Sequence, residues 1–181
     1  GSNSGLLTLN GHSGGTISKW QSSAASNFAT ATDIANTSTT YTSGALTATT
    51  YFRAVIVNGA CTSFSDAATI TVDPTSLGGT VSGGTTVCAT SNSTTLTLSG
   101  SRGTIQWQSS TDSTTFSDIS GATATTYTAT GITQKTFFRA VVTSGVCAPA
   151  NSSTATINVN AASVGGTAAV TTSNPVCTGT N

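Results

Sequence analysis

One pattern runs through the 181 residues twice, displaced by 86 to 89 positions. Leu7-Thr8-Leu9-Asn10-Gly11 returns as Leu96-Thr97-Leu98-Ser99-Gly100, and Trp20-Gln21-Ser22-Ser23 as Trp107-Gln108-Ser109-Ser110. Tyr51-Phe52-Arg53-Ala54-Val55 returns as Phe137-Phe138-Arg139-Ala140-Val141, and Ala68-Thr69-Ile70 as Ala155-Thr156-Ile157. A period this long is the size of a small domain rather than of a solenoid unit, so each copy must bury a core of its own. The joining segment recurs too, Leu77-Gly78-Gly79-Thr80 being answered by Val164-Gly165-Gly166-Thr167. Asn3, Asn92 and Asn181 stand at equivalent points, so the chain reads as a window two periods long, cut in the same phase at both ends. The expected organisation is a repeat lacking its first strand over 1–73, a complete repeat over 74–160, and a linker with the first strand of a following repeat over 161–181.

Within each period the apolar residues alternate, the mark of half-buried strands. Leu96 and Leu98 share a face, Ile105 and Trp107 share another, and Phe116 and Ile119 flank a short strand. Tyr127 and Ala129 continue the pattern. Residues 136–143 are apolar on both faces, which predicts a central strand, and Ile157 and Val159 mark the last one. Asn58-Gly59 and Ser144-Gly145 are two-residue hairpin signals. Short strands separated by polar turns indicate an all-β sandwich. A Trp on the third strand beneath an aromatic-led sixth suits an immunoglobulin-like repeat of about 87–89 residues. The expected core is Trp20, Tyr41 and Phe52 in the first copy, and Trp107, Tyr127 and Phe138 in the second. The first copy has one residue more between Ile17 and Trp20 than the second has between Ile105 and Trp107, which requires a β-bulge near Ser18 or Lys19.

Composition narrows the function. Charged residues make up 6% of the chain, against about 25% in an ordinary soluble domain, while 68 residues are Ser or Thr. A formal net charge of +0 lacks the basic footprint of a nucleic-acid binder. No run approaches the ~20 apolar residues of a membrane span. The helix formers Glu and Met are absent and Lys nearly so, while β-branched residues abound.

Four cysteines, Cys61, Cys88, Cys147 and Cys177, permit three full pairings. If Cys88 opens the first strand of a sandwich and Cys147 follows the last hairpin, the two lie at one pole, and an intradomain Cys88–Cys147 disulfide is expected. Cys61 and Cys177 would then find partners outside this segment. Disulfides imply an oxidising exterior.

Gly11-His12-Ser13-Gly14-Gly15 spells the G-x-S-x-G nucleophile elbow. An elbow needs a strand–turn–helix setting and a separate histidine. Here the motif is expected in a hairpin turn, His12 is the lone histidine, and the second copy has Ser101-Arg102-Gly103 instead. Asp112 and Asp118 are expected to cap turns rather than to work as an acid–base pair. Neither a catalytic residue, nor a metal site, nor a cofactor is expected. Arg53 and Arg139 are expected to cover the outer face, stacked on aromatic rings. Candidate glycosylation points are Asn36 and Asn151 in Asn-x-Ser sequons, Asn92 in an Asn-x-Thr sequon, and Ser113, because Asp112-Ser113-Thr114 resembles a short acceptor motif of Bacteroidota surface proteins.

Taken together, Ile105-Gln106-Trp107-Gln108-Ser109-Ser110-Thr111-Asp112, Asp118-Ile119-Ser120-Gly121-Ala122-Thr123, Phe138-Arg139-Ala140-Val141-Val142 and Ser144-Gly145-Val146-Cys147 resemble known repeats. These are the immunoglobulin-like tandem repeats of giant Bacteroidota cell-surface proteins, among them gliding-motility adhesins and other substrates of type IX secretion. The first copy departs at Ala24-Ala25, where the second has Thr111-Asp112. The resemblance implies a secreted, extracellular stalk at the bacterial cell surface with no catalytic residues. Its partners would be neighbouring repeats or other copies of the chain in a fibre, with surface glycans as further candidates. Two alternatives stand beside it: a filament subunit polymerising by strand complementation, and a carbohydrate- or ice-binding module.

Overall fold

Every regular element among residues 5–169, which the computed structural model describes, is a β-strand. No described helix is long and apolar enough to cross a membrane. The described residues fall into two compact units. The first comprises those up to Leu77 with Arg102–Thr104 and Val142–Ala150; the second comprises Gly78–Ser101, Ile105–Val141 and those from Asn151 on.

In the first unit, β1 (Leu6–Thr8) pairs antiparallel with β4 (Thr40–Thr42) in a two-stranded sheet. The other sheet runs β3 (Thr32–Ile34), β2 (Thr16–Ser23), β5 (Thr50–Asn58), β6 (Cys61–Phe64), with β7 (Ala68–Ile70) also on β5. The sheets meet through aromatic rings. Tyr41 of β4 lies 6.0 Å from Trp20 and 5.8 Å from Phe52, centroid to centroid, in the tilted geometry that ring quadrupoles favour. Ile17, Trp20, Ala54 and Ile56 form the buried centre, with Leu7, Leu9 and Ile34 packed against it.

The second unit has one sheet of β13 (Thr126–Thr130), β10 (Ser93–Ser99) and β8 (Thr80–Ser82). Its other sheet runs β12 (Ser117–Asp118), β11 (Thr104–Ser110), β14 (Thr136–Thr143), β16 (Ala155–Asn160), β9 (Thr85–Cys88), with β15 (Ala150–Asn151) also on β14. Trp107, Tyr127 and Phe138 repeat the ring series at 5.9 and 5.8 Å. Each Trp also satisfies its indole N–H, Trp20 on Ser38 O (3.0 Å) and Trp107 on Ala124 O (2.8 Å). These paired sheets about apolar centres are consistent with a β-sandwich.

The bulge required by the extra residue is present. Ile17 opposes Ile56 and Lys19 opposes Val55, so Ser18 has no cross-strand partner and its hydroxyl donates to Val55 O instead. Strand β14 is central, as its two apolar faces demand.

Three expectations need correction. Asn58 pairs with Cys61, so the first hairpin turns on Gly59-Ala60, one residue later than the Asn58-Gly59 signal indicates. The left-handed φ needed there is supplied by Gly59 (φ 58°). The segment holding Gly11–Gly15 is not a hairpin turn either, because β1 and β2 belong to different sheets and the loop crosses between them.

The third correction concerns the disulfide. Cys61, Cys88 and Cys147 are all free thiols, and Cys177 lies outside the described residues. Cys88 does not open the first strand; it closes it. The chain runs as β8 along β10, switches sheets at Gly83-Gly84, and continues as β9 parallel to β16, ending with Cys88 opposite Asn160. Cys147 sits instead in the turn that starts at Ser144, before β15 and β16 begin.

Candidate interaction surfaces

The outward face of each larger sheet carries one side-chain row built by cross-strand register. Gln21 opposes both Asp33 of β3 and Arg53 of β5. Its Nε2 donates to Asp33 Oδ1 (2.8 Å), and its Oε1 accepts from Arg53 Nε (2.9 Å). In the second unit, Gln108 donates to Asp118 Oδ1 (2.8 Å) and accepts from Arg139 Nε (2.8 Å). An amide carries both a donor and an acceptor at its tip, so it can face a carboxylate on one side and a guanidinium on the other.

Aromatic rings close the row. Arg53 lies 4.2 Å from the Phe28 centroid and 3.8 Å from that of Phe64, and Arg139 lies 4.0 Å from Phe116. Stacking of this kind suits the flat, weakly hydrated guanidinium. The expected cover of Arg on aromatic rings is therefore present. The Asp–Gln–Arg relay was not legible, although its signal recurs at fixed places: Gln after each Trp, and Arg after each aromatic pair. Asp118 belongs to this row rather than to a turn cap.

Lys19, the residue the bulge brings into register, adds an ion pair to Asp33. The Lys19 ammonium, followed by the Gln21 amide, holds the Asp33 carboxyl below its ordinary range. Lys19 is half-buried and Asp33 exposed, so solvent screens the pair and it contributes little to stability.

Asp112 does cap a turn. Its Oδ1 accepts from the backbone of Thr115 (2.7 Å) and Thr114 (2.8 Å) and from the Ser110 hydroxyl (2.8 Å). These bonds, that from Thr115 N–H foremost, pull its pKa well below the usual carboxylate range. The loop so tightened presents Ser113 to solvent in a left-handed conformation (φ 63°).

The three sequons differ in their surroundings. Asn92 is a clamp: Nδ2 donates to Cys88 O (2.9 Å) and Ile132 O (2.7 Å), while Oδ1 accepts from Ile132 N (2.8 Å). A glycan on that nitrogen would replace one of its two hydrogens, so at least one of the carbonyl contacts would be lost. Asn36 organises its own turn through Ser38 N and Thr40 O. Asn151 is exposed at the end of β15.

Cys61 and Cys88 are exposed, and Cys147 is half-buried with its thiol directed at Asp73 O. Asp73 also accepts from Val146 N (3.1 Å), and Ser76 from Ser144 N (2.9 Å), so the segment after β7 is tethered within the first unit. His12 is exposed in the inter-sheet loop, and β2, not a helix, follows Gly15. Among the described residues, no three His, Cys, Asp or Glu side chains lie together as metal ligands would.

The first unit also carries an open cleft of about 550 Å³. Leu7, Leu9 and His12 line one side, Phe64, Ser65 and Asp66 the other, and Trp20 and Phe52 the floor.

Fold and surface define an all-β chain in which Asp, Gln and Arg side chains bind one another in the same order in both units. The family model described as Domain of unknown function (DUF8696) matches residues 1–74 and again residues 77–161, and the chain belongs to that family. No curated protein matches the chain.

Proposed function

We propose that the chain is a non-enzymatic structural module: two tandem immunoglobulin-like repeats from the stalk of a bacterial cell-surface adhesin or extracellular filament. The observation that carries this reading is the duplicated relay of Asp33–Gln21–Arg53 and Asp118–Gln108–Arg139. Both units use their few charged groups to lock three neighbouring strands edge to edge, which suits a module that carries load. The double family match and the first strand shared between β10 and β16 support the tandem immunoglobulin-like arrangement. The hydroxyl-rich, nearly uncharged surface supports an extracellular stalk of the Bacteroidota adhesin kind, and Ser113 is the best-presented point for a glycan.

Stretching single molecules of the chain by force spectroscopy tests this. Two cooperative unfolding events are expected, each releasing about 25–30 nm for 75–85 residues. A membrane-impermeant biotin reagent should also label the protein on intact producing cells. Gradual extension without discrete events, or complete shielding from the label, would overturn the reading.

A further inference from the structure

In the second unit both sheets are closed at one edge by the first strand. Strand β8 pairs with β10 as Thr97↔Ser82, Leu98↔Val81 and Ser99↔Thr80, and β9 covers β16. In the first unit, the counterparts β1 and β7 pair only with β4 and β5 among the described residues. The cost is visible in the side chains. Leu96 is 0% exposed and Leu98 4%, whereas their counterparts Leu7 and Leu9 are only half-buried, and Leu6 beside them is 65% exposed. Likewise Ile157 is fully buried, and Ile70 half so. The cleft between Leu7–Leu9 and Ser65–Asp66 corresponds to the place that β8 fills in the second unit, between Leu96–Leu98 and Ser152–Ser153.

We propose that this cleft binds Val164–Ala169 of a second copy of the chain as an added strand, antiparallel to β1, in the register Thr8↔Ala169, Leu9↔Ala168 and Asn10↔Thr167. Three observations select this occupant. Val164-Gly165-Gly166-Thr167 matches Leu77-Gly78-Gly79-Thr80, which leads into β8. Residues 161–169 form no strand and are exposed throughout, Val164 at 92%. The acceptor has the matching second bank as well. In the second unit, Val81 N donates to Ser153 Oγ (2.9 Å) and Ser153 N to Gly79 O (3.2 Å). Ser152 and Ser153 correspond to Ser65 and Asp66, because Ser65 Oγ accepts from Ala54 N as Ser152 Oγ does from Ala140 N. Asp66 would therefore take Ala168 N–H on its carboxylate and give its own N–H to Gly166 O. With that N–H turned to Asp66, those of Thr167 and Ala169 face β1. Edge strands left open in this way are templates for pairing with another chain. The contact depends on the correspondence between the units and would hold whether or not the protein is a stalk.

Sedimentation of the full chain over a micromolar-to-millimolar range, with hydrogen exchange at residues 6–10, tests the contact. The average mass should rise above 17.8 kDa with concentration while those amides become protected. Ala169→Pro removes a ladder donor from an exposed segment and should return the chain to monomer, whereas Ser163→Pro, outside the contact, should not. Asp66→Ala should weaken association about tenfold and Asp66→Ser should largely restore it. A monomer at every concentration would overturn the proposal, as would association indifferent to Ala169→Pro. A monomer with residues 6–10 already protected would assign the cleft to the chain's own tail, and overturn it too.

Discussion

Arg139 donates from Nε to Gln108 Oε1 at 2.8 Å, and through that bond β14 is held to β11 on the face opposite Trp107. Arg53 and Gln21 do the same at 2.9 Å. In both units the glutamine is the hinge of the relay, since it alone meets both charges.

Replacing Gln108 by Leu leaves Arg139 and Asp118 without their shared partner while keeping a similar volume. The relay is partly solvated, so the expected loss is about 1 kcal/mol, read from urea unfolding. Gln21→Leu should cost a similar amount in the first unit.

Trp107 is fully buried between the sheets of its unit. Trp107→Ala should destabilise by about 3–5 kcal/mol through the cavity it leaves. Trp107→Phe, which keeps most of the packing but strands Ala124 O, should cost less, about 1–3 kcal/mol. Circular dichroism during denaturation distinguishes the two.

Because Cys61, Cys88 and Cys147 are free, a reducing agent should leave the melting temperature unchanged. Titration with a chromogenic disulfide should find Cys61 and Cys88 reacting quickly and half-buried Cys147 more slowly. A drop in melting temperature on reduction would restore the disulfide that the strand order argues against.

The Asp112 carboxyl is depressed in the folded chain, so its contribution to stability is present above the ordinary carboxylate pKa of about 3.9 and is lost as pH falls toward its folded value. Asp112→Ala should therefore be less stable than the parent at neutral pH. The gap should narrow steadily below about pH 4. Thermal unfolding at a series of pH values checks both the sign and the window.

Gly83 holds φ 98°, and a Cβ there would run into Thr95 O. At Gly84 a Cβ would meet Thr156 O at 2.9 Å. Gly83→Ala should cost about 1–3 kcal/mol and loosen β9 from β16. Faster amide exchange at Thr85–Cys88 is the expected signature.

Much of this was legible beforehand because it is local. Alternation placed Leu96, Leu98, Trp107 and Ile157 facing inward, and two apolar faces marked β14 as central. One surplus residue between Ile17 and Trp20 required the bulge. The relay was not legible, because Gln21, Asp33 and Arg53 are far apart in the chain and only strand register sets them side by side. Cys88 was misplaced for a related reason: hydrophobic period reports which face is buried but not where a strand leaves one sheet for the other.

Recurrence and alternation, read along the chain, therefore suffice for an all-β protein with its buried Trp and Phe pairs and its hydroxyl-rich exterior, although Tyr41 and Tyr127 are only half-buried. Those properties follow from each residue's own polarity and the two-residue period of an extended backbone. Pairing across sheets settled the rest among the described residues: the sheet switch at Gly83-Gly84, the free thiols of Cys61, Cys88 and Cys147, the glutamine relay, and the pairing of β1 with β4 alone. Each depends on which distant segments become hydrogen-bonded neighbours, and that is a property of the folded chain alone.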